Sequence, residues 1–309
     1  MVQRAFIHTQ FLVRSSLIVT LSILSGCGPT RSGWEGGAAR TPRVFAPGVI
    51  STPAREYGIT FTPDGREAYF TRRARRGSSL IYVSRFVEGS WTEAEPASFS
   101  VERDQTPFVT ADGARLFFSS HRPNTRSFDR SEDIWVSNRT EDGWATPLPI
   151  DGLVNQPRSE IGDFTTGTEV GPVLLLGGSL LYSTRADPDW GSDLYVADPD
   201  GNGAYIDPRP LRINSYGDES SPTMSPDGRH LIFQAYRGAN AFGEQDLYAS
   251  ERTEHGWSEP WLLPEPVNSV RNDGYPSFSP DGRLFFFSSD RGEGFYDIYV
   301  VEVEALELN

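Results

Sequence analysis

A single turn motif recurs along this chain at intervals of about fifty residues, and a repeat of that length restricts the fold more than any other feature of the sequence. The clearest copies are Ser225-Pro226-Asp227-Gly228 and Ser279-Pro280-Asp281-Gly282; related copies are Thr62-Pro63-Asp64-Gly65, Thr110-Ala111-Asp112-Gly113 and a degenerate Leu176-Gly177-Gly178. The intervals between Gly65, Gly113, Gly178, Gly228 and Gly282 are 48, 65, 50 and 54 residues. Units of this size cannot bury their apolar faces alone, so neighbouring units must share a core.

Each unit carries the sequence signals of short strands. Pro fixes φ, Asp bonds to nearby amides and Gly takes positive φ, so the motif predicts a tight turn between two strands. The strands that leave this turn are predicted at 66–71, 115–120, 179–184, 229–235 and 283–289. A recurrent pair opens the third strand: Ile81-Tyr82, Ile134-Trp135, Leu194-Tyr195, Leu247-Tyr248 and Ile298-Tyr299. An aromatic residue opens the fourth: Trp91, Trp144, Tyr205 and Trp257.

Four antiparallel strands per unit make one propeller blade, so the sequence predicts an all-β, five-bladed β-propeller. The last unit ends at Asn309, just after its third strand. Residues 44–47 precede the first blade in the same way as 261–264 precede the last. We therefore predict that the N-terminal strand completes the last blade and closes the ring by strand exchange, which hides sheet edges that would otherwise stay open.

These motifs resemble the TolB-type, WD-like β-propeller repeat family, whose units read approximately acidic-x-x-Pro, Ser-Pro-Asp-Gly, Phe-x-Ser-x-Arg and Asp-Ile-Tyr. The resemblance covers about residues 44–305 and is strong in the second, fourth and fifth units. The first unit has Leu80 where the family has Asp, and the third lacks the Asp-Gly turn. The resemblance implies a propeller used mainly as a binding or docking platform in the bacterial envelope, and it fixes no ligand.

The N-terminus has the layout of an export signal. Residues 1–26 contain two arginines, no acidic residue and an apolar run, 17–24, that is too short for a membrane span. Leu24-Ser25-Gly26-Cys27 resembles the lipobox of bacterial lipoproteins. The resemblance implies cleavage before Cys27, lipidation of Cys27 and, since Gly28 follows, sorting to the outer membrane. The alternative is an ordinary signal peptide with a chance cysteine.

The domain prediction follows from these two features. Residues 1–26 are predicted to be a lipoprotein signal peptide, 27–41 the lipidated cysteine with a flexible tether, and 42–309 the propeller. The formal net charge is −14, and all 28 basic residues are Arg. Since an acidic chain repels phosphate backbones, nucleic acid is not expected as a partner. The expected location is the bacterial cell envelope, with the membrane reached through the lipid anchor.

One constellation of charged residues recurs with the repeat. An acid stands eight residues before each turn Asp, or before Gly177 in the third unit: Glu56, Asp104, Glu169, Glu219 and Asp273. An arginine stands seven to nine residues after each turn glycine: Arg73, Arg122, Arg185, Arg237 and Arg291. If exposed, the acids would ring one mouth of the central channel and could bind a cation, a basic ligand or a sugar. Alternatively, each acid pairs with the arginine of its own blade, which avoids the repulsion between five carboxylates.

Three further motifs each have two interpretations. Residues 198–203, Asp-Pro-Asp-Gly-Asn-Gly, are similar to a calcium-binding loop, but Arg209 stands where the last acidic ligand belongs, and a hairpin turn is the alternative. The arginines at 72, 73, 75 and 76 form either a docking patch or an exposed loop. The tryptophans at 91, 144 and 257 either stack on sugars or pack the blades.

The sequence contains no Gly-x-Ser-x-Gly elbow and no phosphate-binding loop, and its histidines lack metal-ligand spacing. We therefore expect no enzyme activity, no metal and no cofactor. The first hypothesis is a non-catalytic, monomeric envelope lipoprotein whose propeller binds an unknown envelope protein or glycan. The second is a glycan-active enzyme or lectin on the same frame, with Asp151, Glu160 and Asp163 of the 151–171 insertion as its best candidate acids.

Overall fold

The structure is a computed structural model that describes residues 40–74, 77–124, 131–155, 168–185, 191–238, 241–292 and 295–308. The predicted signal peptide, Cys27 and the tether as far as residue 39 lie outside the described residues. None of the described helical segments combines the length and apolar composition needed to cross a lipid bilayer.

The described chain folds into five antiparallel sheets, the five blades of a propeller, and this confirms the predicted all-β fold. The first strand, β1 (Arg43–Val44), belongs to blade 5. Blade 1 contains β2 (Arg55–Phe61), β3 (Glu67–Arg73), β4 (Ser79–Val87), β5 (Ser90–Trp91) and β6 (Glu95–Pro96). Blade 2 contains β7 (Asp104–Val109), β8 (Arg115–Ser120), β9 (Asp133–Thr140), β10 (Gly143–Trp144) and β11 (Leu148–Pro149).

The remaining strands repeat this arrangement. Blade 3 contains β12 (Asp151–Gly152), β13 (Glu169–Leu174), β14 (Leu180–Thr184), β15 (Asp193–Pro199) and β16 (Ala204–Pro210). Blade 4 contains β17 (Asp218–Met224), β18 (His230–Tyr236), β19 (Asp246–Thr253), β20 (Gly256–Trp257) and β21 (Trp261–Leu262). Blade 5 contains β22 (Asp273–Phe278), β23 (Leu284–Ser289) and β24 (Asp297–Glu302), followed by a 3₁₀ helix, Val303–Leu306.

Within each blade the first, second and third strands follow one another outward from the centre, and β1 and β12 lie at the outer edges of blades 5 and 3. The first strands of neighbouring blades contact each other around the central channel. The fourth strand of blades 1, 2 and 4 consists of two short segments that both pair with the third strand. Blade 3 differs, because its fourth strand β16 is continuous and pairs in parallel with β12.

The turn motif joins the first two strands of each blade, as its residues predict. In blade 4 the Asp227 carboxylate accepts hydrogen bonds from the Ser225 hydroxyl at 2.5 Å and from the Arg229 N–H at 3.0 Å. Gly228 has a φ of +71°, and its N–H donates to the Ser225 carbonyl. The turns of blades 1, 2 and 5 make the same carboxylate bonds. Blade 3 turns through two glycines instead.

Apolar side chains fill the spaces between neighbouring blades. Every buried cluster draws its residues from two consecutive blades, including the pair formed by blades 5 and 1. Alternate residues of one strand face opposite neighbours: Phe285 and Phe287 pack towards blade 4, and Phe286 packs towards blade 1. The second strands are therefore apolar at consecutive positions, as expected of strands buried on both faces.

Residues near the N-terminus complete blade 5. Strand β1 pairs antiparallel with β24, and the Phe45 N–H donates to the Ile298 carbonyl at 2.8 Å. The buried Phe45 ring lies 5.0 Å from the Phe286 ring of blade 5 and 6.2 Å from the Phe61 ring of blade 1. This segment thus contacts both the last and the first blade. That it closes the ring by strand exchange stays a prediction.

In three blades, an asparagine in the connection to the next blade forms hydrogen bonds with the third strand of its own blade. The Asn155 side chain accepts from the Ile134 N–H at 3.0 Å and donates to the Ile134 carbonyl at 2.8 Å. Asn214 and Asn268 make the same pair of bonds in blades 3 and 4. These bonds fix the path of the chain from the outer edge of one blade to the innermost strand of the next.

Candidate functional site

The two ends of the central channel differ in chemistry because the innermost strands share one direction. Each of these strands has a repeat acid as its first or second residue and leads into a turn motif. We call the end with the acids the loop face and the end with the turns the turn face.

At the loop face, three of the predicted acid–arginine pairs come together. The closest nitrogen–oxygen distances are 2.6 Å for Arg122–Asp104, 3.1 Å for Arg237–Glu219 and 2.6 Å for Arg291–Asp273. The acid side chains are fully buried in all three pairs, and the arginine side chains are 13–17% exposed. These pairs therefore lie largely out of contact with solvent.

In blade 1 the prediction chose the wrong arginine. Arg72, not Arg73, contacts Glu56, with 2.8 Å between Nε and Oε1. Arg72 is the register partner of Glu56 across β2 and β3. Since successive side chains of a strand point to opposite faces, the next residue, Arg73, points away from Glu56.

The prediction for Arg185 in blade 3 is wrong for the same reason. Glu169 accepts a hydrogen bond at 3.1 Å from the hydroxyl of Thr184, its register partner. Arg185 is the next residue along the chain; its side chain is exposed and forms no ion pair within the described residues.

The paired arginines fasten the connections between blades. The Arg291 guanidinium carbon lies 4.9 Å from the centre of the Phe287 ring and 5.3 Å from that of Tyr299. The same guanidinium donates to the Pro266 carbonyl at 2.8 Å, in the segment that leads into blade 5. Arginines of blades 1, 2 and 4 stack on equivalent rings. Each acid, arginine and ring pair thus forms a structural clamp, a name we use for this unit below.

Burial rules out the interpretation of the five acids as an open ring at the channel mouth. Glu56, Asp104, Glu169, Glu219 and Asp273 are at most 1% exposed, so a cation or sugar in the channel cannot reach them directly. Burial raises the pKa of the Glu56 and Asp273 carboxyls above its ordinary value. Hydrogen bonds from Thr52 and the charge of Arg72 oppose this rise in pKa at Glu56.

All five innermost strands share a bulge with a positive φ. The φ values are +62° at Gly58, +50° at Thr106, +63° at Gly171, +48° at Ser221 and +51° at Tyr275. Three of the five are not glycine, so this backbone is strained and is held by its surroundings. Side chains of the preceding blade bond to three of the bulge N–H groups, namely Thr106, Gly171 and Tyr275. These bulges lie between the two ends of the channel.

A cavity of about 370 Å³ opens from the bulges to the turn face. All five blades line it, and its apolar members include Phe61, Val173, Leu176, Met224, Phe278 and seven prolines. No charged side chain is among the described residues that line it. We call this cavity the apolar funnel. The sequence analysis did not predict it, although a proline after the bulge residue recurs in four blades.

A smaller, polar pocket of about 280 Å³ opens at the loop face between blades 1 and 2. Its lining consists of Arg73, Ser78, Ser79, Arg103, Gln105 and His121. The sequence analysis singled out only Arg73 of this set, and for a different role. We call it the polar pocket.

Tyrosines separate the polar pocket from the apolar funnel. The rings of Tyr57 and Tyr275 lie 4.6 Å apart, and the Tyr57 hydroxyl donates to Gln105 in the polar pocket at 2.8 Å. Tyr275 also lines the apolar funnel. Burial raises the pKa of Tyr275 to about 12 and that of Tyr57 further still, so both hydroxyls stay protonated at neutral pH.

The remaining predicted motifs take structural positions. The calcium-like segment forms the hairpin between β15 and β16, where Arg209 pairs with Asp198 at 2.8 Å. The three tryptophans pack against blade clusters. Asp151 lies in β12, whereas Glu160, Asp163, Arg75 and Arg76 lie outside the described residues. Within the described part of the chain, no group of three or more His, Cys, Asp or Glu side chains has the arrangement of a metal site.

No protein-family model and no curated protein sequence matches this chain. Among solved structures, a glycoside hydrolase matches with a TM-score of 0.55 at 8% identity, over 84% of this chain and 91% of the other. BT0996 in an RGII complex matches with a TM-score of 0.56 at 8% identity, over 86% of this chain and 92% of BT0996. TolB from Acinetobacter baumannii matches with a TM-score of 0.48 at 15% identity, over 80% of this chain and 54% of TolB. The chain thus spans about half the length of TolB. At such identities the likeness concerns the fold alone. The structural neighbours of this five-bladed propeller thus include TolB and other propeller proteins.

Proposed function

We propose that this chain is a non-catalytic lipoprotein of the bacterial envelope, and that its propeller binds an extended, apolar segment of a partner protein in the apolar funnel. The observation that carries the proposal is the funnel itself: a cavity of about 370 Å³ at the centre of the turn face, lined by apolar side chains from all five blades. Binding sites are commonly concave, apolar and of this size.

The lining favours a protein segment over a glycan. A sugar carries many hydroxyl groups, and each one loses its bonds to water on entering an apolar cavity. Apolar side chains gain free energy from the same transfer, in proportion to the area that they bury. Leu176, at the edge of the funnel, is 62% exposed and is available for such contact.

The innermost strands favour recognition by side chains rather than by the addition of a strand. A proline directly follows the bulge residue in four blades, namely Pro107, Pro172, Pro222 and Pro276. Proline has no N–H to donate, so an incoming strand cannot form a continuous ladder of hydrogen bonds there. Side chains that insert into the funnel would therefore supply most of the affinity.

The clamps support the non-catalytic part of the proposal. Within the described residues, the repeat carboxylates of blades 1, 2, 4 and 5 are committed to buried ion pairs, which hold connections between blades. The envelope location is supported by the export-signal layout of residues 1–26 and the lipobox-like residues before Cys27. A glycan-active enzyme or lectin remains the second candidate, and the observation that favours it is the polar pocket.

The test selects ligands from a displayed library of random ten-residue peptides against the full chain. Selected peptides are expected to be rich in apolar residues, and their affinity is then measured by calorimetry. Leu176→Asp should weaken binding at least about tenfold, because it places a charge where the apolar side chains of a bound peptide would make contact. Val270→Asp is the matched control, since Val270 is 77% exposed and lies before blade 5, away from the funnel. Selection of no peptide, or equal binding by both variants, would refute the proposal.

A further inference from the structure

The polar pocket is built from positions where the blades differ in sequence. Each repeat acid has a register partner on the second strand of its blade. The residue directly after that partner differs from blade to blade; in blades 1 to 5 it is Arg73, His121, Arg185, Tyr236 and Asp290. The acids of the clamps repeat around the ring, but these five residues do not. Two of them, Arg73 and His121, lie at the polar pocket. Because these non-repeated residues lie together at one pocket, they indicate a surface with a specific role rather than a part of the repeated framework.

Among the described residues, Arg73 has no carboxylate partner, because Arg72 holds Glu56. Its side chain is exposed, it lines the polar pocket, and it forms no ion pair within the described residues. An arginine beside a clamp that already has its own arginine adds nothing to the clamp. It places a guanidinium at the pocket wall.

Arg103 supplies a second guanidinium from blade 2. Its φ is +71°, a conformation that is unfavourable for a residue with a side chain, and its N–H donates to the Ser79 carbonyl at 2.8 Å. A guanidinium nitrogen of Arg103 lies 3.3 Å from Nε2 of His121. Arg103 likewise forms no ion pair within the described part of the chain. Strain of this kind is typical of residues that are held in place for binding.

A chain of hydrogen bonds fixes the floor of the pocket. The Tyr57 hydroxyl donates to the Gln105 side-chain carbonyl, and the Gln105 amide donates to Glu132. Nε2 of His121 lies 3.5 Å from the Glu132 carboxylate, and Glu132 is 5% exposed. Nδ1 of His121 is buried and has no hydrogen-bond partner among the described residues. The floor of the pocket is thus held in place by hydrogen bonds between its own side chains.

These groups match an oxyanion that carries hydroxyls. Guanidinium groups bind carboxylate and phosphate oxygens in paired hydrogen bonds, and two of them here lie in a chain of net charge −14. The buried carboxylate of Glu132 repels a doubly charged phosphate more strongly than a singly charged carboxylate. Ser78, Ser79 and Gln105 offer donors and acceptors for hydroxyl groups.

We propose that the polar pocket binds a small carboxylate that carries hydroxyl groups, as sugar acids do, with Arg73 and Arg103 holding the carboxylate. This goes beyond the function proposed above, since the pocket opens at the other end of the channel and takes a ligand of opposite chemistry. Either site can exist without the other.

The experiment measures binding of glucuronate to the full chain by calorimetry, with glucose and inorganic phosphate as the other two probes. Glucuronate is expected to bind with a single saturable site, and glucose and phosphate at least about tenfold more weakly. Arg73→Gln and Arg103→Gln should each raise the dissociation constant of glucuronate about tenfold or more. Arg73→Lys should have an intermediate effect, because it keeps the charge and loses the paired bonds.

Arg66→Gln is the matched control, because it removes the same charge from an exposed position at the turn face. It should leave glucuronate binding unchanged. The proposal is overturned if glucose binds as tightly as glucuronate, if phosphate alone binds, if none of the three probes binds, or if Arg66→Gln weakens binding as much as Arg73→Gln. The pocket arginines lie at the surface, and the thermal unfolding midpoint of each variant verifies that it is folded.

Discussion

Blades 3 and 5 have the same four-strand plan and keep it by different means. Blade 5 has the Ser-Pro-Asp-Gly turn, a complete clamp at Arg291 and Asp273, and an outer strand that comes from the other end of the chain. Blade 3 turns through two glycines, and the Thr184 hydroxyl donates a hydrogen bond to its acid. Its fourth strand, β16, pairs in parallel with β12.

The difference shows which parts of the repeat define a blade. The apolar second and third strands are present in both blades and fill the spaces to their neighbours. The clamp, the turn aspartate and the source of the outer strand all vary. We infer that packing between blades determines the architecture, whereas the polar motifs fasten individual connections. The predictions that follow measure how strongly each of them does so.

The largest effect is expected at the outer edge of blade 5. Phe45→Ala removes a buried ring that contacts both blade 5 and blade 1, and should lower the free energy of unfolding by about 4 kcal/mol. Ile206→Ala is the counterpart in the outer strand of blade 3; Ile206 is 42% exposed, so its loss should cost less than about 1 kcal/mol. Urea unfolding measures both variants. Equal costs would show that the N-terminal strand does not close the ring.

The next effect compares the clamp of blade 5 with the equivalent position of blade 3. Arg291→Gln leaves the buried Asp273 carboxylate without its ion pair and should cost about 3 kcal/mol in the free energy of unfolding. Arg185→Gln in blade 3 removes the same charge from an exposed side chain and should change it by less than about 0.5 kcal/mol. A small effect of Arg291→Gln would show that the clamps do not stabilise the fold.

The smallest effect concerns the turn aspartate, which blade 3 lacks. Asp227→Asn weakens the bonds from Ser225 and Arg229 and should lower the free energy of unfolding by about 1 kcal/mol at neutral pH. The Ser225 hydroxyl and the Arg229 N–H hold the pKa of Asp227 below its ordinary value. The folded state therefore favours the charged carboxylate, so this stabilisation is present above the ordinary pKa of Asp and is lost as the pH falls through the lowered value.

The wild type and Asp227→Asn should accordingly converge in stability in acid. Unfolding midpoints in urea at neutral and strongly acid pH test this, with Asp142→Asn, an exposed change of equal charge in blade 2, as the control. A difference that is the same at both pH values would show that the ionised carboxylate does not stabilise the turn.

The sequence predicted the blades well because turn chemistry and strand length are local properties. The Asp-Gly turns set the starts of the second strands, and the structure places β8 at the predicted residues. The clamps were predicted in part. Arginines that pair with their acid lie seven or nine residues after the turn glycine, whereas Arg73 lies eight after it and points to the other face. In the blades with an Asp-Gly turn, this odd or even spacing was thus a usable signal that the prediction overlooked. In blade 3 it fails, because Arg185 lies seven residues after Gly178 and yet directly follows the register partner of Glu169.

The two cavities could not be predicted in the same way. Each depends on side chains that converge from different blades, and the 48-to-65-residue spacing of the repeats conceals which positions face the channel. The bulges had a signal in the proline that follows Thr106, Gly171 and Ser221, since proline inside a strand marks a bulge or an edge. The polar pocket depends further on the strained Arg103 and on contacts with His121, which no repeat pattern contains.

The position of β1 has a consequence for the way in which the chain joins the propeller. As the outermost strand of blade 5, β1 lies at the outer edge of the sheet, away from the innermost strands that line the channel. The described chain therefore enters the propeller at its rim. Because the apolar funnel and the polar pocket open at opposite ends of the channel, both can be occupied at the same time.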